Sequence, residues 1–72
     1  SHVPRVSADE AVEILRRELG VSGTLTAREL VVFGFPGARP ILAWWISGTR
    51  YVYFVDALEG VPRIGYDLAP PG

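Results

Sequence analysis

Two close carboxylate pairs, Asp9 with Glu10 and Asp56 with Glu59, are the residues of this sequence whose type and spacing come nearest to doing chemistry. Paired carboxyls can divide into proton donor and acceptor, and clustered oxygens can hold a hard cation. Each pair has a plainer use. Asp9 and Glu10 stand where a helix begins, and Asp56 and Glu59 stand in a turn that ends at Gly60, so both pairs read as backbone caps. Nothing completes a catalytic set around them. The one histidine, His2, lies at the extreme N-terminus and cysteine is absent, so neither a Ser/His/Asp nor a Cys/His arrangement can be assembled. Pro4-Arg5-Val6-Ser7, ahead of the helix, lacks the glycines of a phosphate loop. Isolated carboxylates do not make a metal site. The expectation is a non-enzymatic chain with no cofactor and no metal.

The helix that carries the first pair is expected over residues 8–19. Ser7-Ala8-Asp9-Glu10 is a capping box, in which Ser7 accepts from the Glu10 amide and Glu10 reaches back to the Ser7 amide. Ala8, Ala11, Val12, Leu15 and Leu19 then form one apolar stripe, Glu13 and Arg17 form an i, i+4 pair on the other side, and Gly20 ends the helix. The remainder reads as strands at 30–33, 40–47, 51–55 and, more weakly, 61–66. Pro36-Gly37 suits a turn with φ > 0 at the glycine, and Ser47-Gly48-Thr49 makes a tight connection. Asp56 is expected to accept local amides, and Gly60 to take a left-handed conformation. Pro62 confines the last strand to an edge or a strand start. The fold class is therefore α+β, with one N-terminal helix packed on a three- to four-stranded antiparallel β-meander.

Seventy-two residues make one domain. A chain this short buries only about 60% of the surface its unfolded form exposes, so its 49% hydrophobic content, with two Trp, three Tyr and three Phe, must hold it together without disulfides. Residues 1–6 read as a tag remnant and flexible lead, 7–67 as the domain, and 68–72 as a Pro-rich tail or linker. Seven Arg against eight Asp and Glu give a net charge of −1, and the pI of about 5.7 argues against nucleic acid as a partner. No apolar run approaches the ~20 residues of a membrane helix.

The strands at 40–47 and 51–55 break the usual alternation of a half-buried sheet. Leu42, Trp44 and Ile46 point one way, and Ile41, Ala43 and Trp45 the other; Tyr51, Tyr53 and Val55 likewise oppose Val52 and Phe54. A helix of about 18 Å covers only part of one side. The other side then presents Ala43, Trp45, Val52 and Phe54, with Arg50 beside them, and an exposed apolar patch of several hundred Å² marks an interaction surface. The competing reading has Trp45 lying flat under Arg stems and Pro-rich segments. A small-ligand groove among the aromatic residues is a further alternative.

Glu29-Leu30-Val31-Val32-Phe33, Leu42-Ala43-Trp44 and Tyr53-Phe54-Val55-Asp56-Ala57 with Gly60, in that order behind a helix ending in Leu19-Gly20, resemble the PepSY domain. The likeness is closest to the version in propeptides of thermolysin-type metallopeptidases, and it covers roughly residues 8–67. Trp45 departs from it, standing where the family commonly has a polar residue or Arg, and Leu58-Glu59 replaces the usual x-Thr before the glycine. The resemblance implies a non-catalytic protein-interaction module, secreted or of the cell envelope. In that setting it would act as a propeptide-like protease inhibitor and folding assistant, or as an extracytoplasmic binding domain. Asp56 carries over only as the turn aspartate. The alternative from a different class is a homo-oligomerising structural domain that pairs with its own copy through the apolar sheet face or an edge.

Overall fold

The computed structural model describes residues 3–34 and 36–69, without the side chains of Ala27 and Phe33. Ser1-His2 of the expected tag remnant, Phe35 before the Pro-Gly turn, and residues 70–72 of the expected tail lie outside the described residues.

One helix, α1 (Ala8–Glu18), precedes four strands, β1 (Thr26–Phe33), β2 (Ile41–Ser47), β3 (Tyr51–Asp56) and β4 (Pro62–Asp67). The capping box forms as its residues require: Ser7 Oγ accepts from the Glu10 amide at 3.1 Å, and Glu10 Oε1 accepts from the Ser7 amide at 3.4 Å. At the other end Gly20 turns to φ +66°, and the Leu19 and Val21 amides both donate to the Leu15 carbonyl.

The strands pair in sequence order as an antiparallel meander, with β1 and β4 at the edges. The first strand starts four residues earlier than its β-branched run, because Thr26, Arg28 and Glu29 also find partners on β2, with a register shift between Thr26 and Arg28. Pro62 opens β4 on an edge, where its missing N–H leaves no ladder bond unmade. Between β3 and β4, Asp56 Oδ1 accepts the Leu58 and Glu59 amides at 2.8 and 2.9 Å, and Gly60 sits at φ +71°. Gly37 has φ +83° in the turn after β1.

Antiparallel partners share a face, so the register sorts the side chains. Leu42, Trp44 and Ile46 fall with Arg28, Leu30 and Val32 of β1, Tyr53 and Val55 of β3, and Pro62 and Ile64 of β4. This is the side α1 covers: Ala11 and Leu15 join Ile46, Tyr53 and Val55 in one buried cluster, with Trp44 and Tyr51 packed against it.

The lead is shorter than the sequence led us to expect. Val6 is buried in that cluster, and the Arg5 and Val6 amides both donate to the Ala57 carbonyl, at 2.8 and 2.9 Å. The Val6 carbonyl in turn accepts the Trp44 indole N–H at 2.6 Å. The physical reason is a hydrophobic staple. Val6 precedes the cap and shares the cluster with Ala11, the fourth residue of the helix. The domain thus begins by Arg5. It also runs past 67, since the Leu68 amide donates to the Arg50 carbonyl.

Candidate interaction surface

The reverse of the sheet is where the sequence places its partner-binding residues, and it is built from all four strands. By register it carries Glu29 and Val31 of β1, Ile41, Ala43, Trp45 and Ser47 of β2, Val52, Phe54 and Asp56 of β3, and Arg63 and Tyr66 of β4. Among the described residues no helix lies over it; α1 packs on the opposite side.

The structure nevertheless divides the expected site residues into two kinds. Ala43 and Val52 have no solvent exposure at all, whereas Trp45 and Phe54 are half-buried. Ala43 lies between Val31 and Asp56 across the strands and next to Ile41 and Trp45 along its own. Val52 lies between Ser47 and Tyr66, two residues from Phe54. The small side chains are floored over by their larger neighbours, so Ala43 and Val52 support the surface rather than touch anything placed on it. That corrects their assignment as contact residues.

Gly65 explains where Phe54 goes. A Cβ at this glycine would lie 2.4 Å from Phe54 Cε2 and 2.7 Å from Cδ2, so the ring occupies the space a side chain would need. The ladder shifts register here, between the Val52 and Tyr53 pairings, as a bulge in β4. A lone glycine inside the run Ile64-Gly65-Tyr66 is a sequence sign of a bulge or a close approach, one that the strand reading over 61–66 passed over.

Arg50 is placed elsewhere. Its guanidinium lies 5.3 Å from the ring centroid of Tyr51 and 3.4 Å from Asp67 Oδ2, and Tyr51 packs against the helix-side cluster. Arg50 therefore caps the opposite side of the sheet and drops out of the reverse surface. The Ala69 amide, ahead of the Arg50 guanidinium, holds the Asp67 carboxyl below the usual carboxylate range. Asp67 in turn, first through its hydrogen bond, raises Arg50.

Beside Phe54 the surface dips into an open groove of about 560 Å³. Ile41, Phe54 and Gly65 lie along it, Ala38 and Arg39 of the β1–β2 loop border it, and Arg63 borders it from β4. Of the two carboxylate pairs, Glu10 is engaged with Ser7 and Asp56 with its own turn. Among the described residues no group of three or more His, Cys, Asp or Glu side chains could hold a metal ion, and no helix is long and apolar enough to cross a membrane.

A second uncovered strip lies on the helix side. The helix packs over β2, β3 and β4, and it meets Arg28 of β1 through Asp9 in an exposed ion pair at 3.9 Å. Leu30 and Val32 of β1, on that side, are left 39% and 65% exposed, the latter more open than any apolar residue of β2 or β3. Comparison of the chain with family models, with curated proteins and with solved structures finds no match in any of the three.

Proposed function

We propose that this chain is a non-catalytic protein-interaction module that presents the reverse face of its sheet to a protein partner. The observation that carries the reading is the state of Trp45 and Phe54: two large aromatic side chains stay only half-buried on a sheet face over which no helix lies among the described residues, beside fully buried Ala43 and Val52. Aromatic side chains on a rigid, well-packed base are the usual anchors of protein contacts. The resemblance to PepSY domains gives the form this takes: a propeptide-like inhibitor and folding assistant of a metallopeptidase domain, or a binding domain of secreted or cell-envelope proteins.

The second reading, self-association, is favoured by one observation of its own. Strand β1 is an eight-residue edge that keeps Leu30 and Val32 exposed, and an open apolar edge is a template for pairing with another copy. Sedimentation over a wide concentration range separates the two. The partner reading expects a monomer throughout. A dimer that Val32→Lys dissolves and Trp45→Ser leaves intact would put self-pairing in its place. For the propeptide form, the expected result is slowed peptide hydrolysis by a thermolysin-type metallopeptidase mixed with the domain, relieved by Trp45→Ser. Unchanged hydrolysis at saturating domain removes the inhibitor role.

A further inference from the structure

Resting on that reading of the reverse face, we infer that the groove beside Phe54 receives an extended acidic peptide segment of the partner, one carrying an aromatic side chain flanked by carboxylates. Its base is apolar, with Ile41 and the Phe54 ring laid against Gly65. Its two cationic borders are Arg39 from the β1–β2 loop and Arg63 from β4, and no carboxylate lines it among the described residues. Those two arginines differ from Arg17, Arg28 and Arg50, each of which has a carboxylate partner. Arg39 and Arg63 form no ion pair among the described residues. Asp56 and Glu59 share a neighbouring depression with Arg39, but Asp56 Oδ1 is committed to two turn amides, and neither carboxylate comes within ion-pair distance of the guanidinium. An apolar base between two unpaired guanidinium groups is complementary to an apolar side chain between two carboxylates, and charge complementarity of this kind selects partner and register. The peptide form follows from the border on β4: its outer edge is unpaired in the sheet, and an extended chain can run beside it.

The test titrates isotope-labelled full-length chain with two synthetic probes, acetyl-Asp-Glu-Phe-Glu-Asp-amide and its charge-reversed counterpart acetyl-Arg-Lys-Phe-Lys-Arg-amide, followed by amide chemical shifts. The acidic probe is expected to shift Ile41, Phe54 and Gly65 saturably, and the basic probe to leave them unmoved. The double variant Arg39→Glu/Arg63→Glu is expected to lose about tenfold in affinity, and Arg63→Gln about threefold, as partly solvated charge pairs do. Both positions are exposed, so folding is retained, and the dispersion of the same spectra checks it. Equal binding of the two probes, undiminished affinity of the double variant, or no saturable shift at millimolar acidic probe overturns the inference. Panning a random peptide display library on the same chain keeps the two conclusions apart. Neutral or basic sequences whose capture needs Trp45 would remove the acidic partner and leave the interaction module standing. An empty selection removes both.

Discussion

The two faces of this sheet start from similar material and are closed in different ways. On the helix side a separate segment of chain, α1 with Val6 ahead of it, lies over the strands, and large side chains such as Leu15 and Ile46 lose all contact with water. On the reverse side the strands must cover themselves. There the fully hidden residues are no larger than Ala43 and Val52, while the bulkier Trp45 and Phe54 are only half-buried. A face roofed by its own side chains can hide what is small but not the roof. The difference lies in packing rather than in composition, and it is why one face stabilises the domain and the other offers contact area.

The sharpest way to break this comparison is a large-to-small change on each face. Leu15→Ala should cost about 3–4 kcal/mol, since the site is sealed and cannot collapse freely, as measured by urea unfolding. Trp44→Ala should cost about 3 kcal/mol, near the lower bound for a buried aromatic because the ring is half-buried, with the Val6 carbonyl losing its donor as well. Trp45→Ala should cost about 2 kcal/mol, less than Trp44→Ala because no hydrogen bond to a buried carbonyl goes with it. Equal losses at the two tryptophans would erase the distinction between the faces.

Gly65→Ala sharpens it from the other direction. The new methyl must displace the Phe54 ring, and overpacking of this kind costs about 1–3 kcal/mol. Hydrogen exchange at Val52 should quicken as its cover lifts, with the Leu15 amide unaffected. The smallest effect concerns neither face but the end of β4. The Asp67 carboxyl is held below its ordinary value by the Ala69 amide and then by Arg50, so its contribution is complete above the unfolded carboxylate pKa and fades as pH falls through the folded one. Asp67→Asn should therefore lower stability slightly at neutral pH and leave it unchanged at low pH, which flattens the acid limb of the stability curve.

Much of this architecture is legible in the sequence because it rests on local chemistry. The capping box at Ser7 and Glu10, the stop at Gly20, the Asp56 turn and the edge position of Pro62 each follow from one or a few neighbouring residues and form as read. The opposed placement of Trp44 and Trp45 follows from strand periodicity alone. What the periodicity cannot tell is how deep a residue lies. Ala43 and Val52 point to the reverse face yet are buried, because depth depends on neighbours brought alongside from other strands. Arg39 and Arg63 border one groove across a separation of 24 positions, which no local pattern registers. Arg50 went astray for a related reason: it is next to the cluster in sequence, but its guanidinium follows Tyr51 and Asp67 to the other side.

The adjacency of Trp44 and Trp45 gives the domain a built-in optical readout. One indole is clamped through its N–H to the Val6 carbonyl, the other is turned toward the opposite side of the sheet, and both are half-buried. Iodide should therefore reach each ring from its own side. Occupation of the reverse face would shelter Trp45 without altering Trp44, whereas fraying of the lead would do the converse.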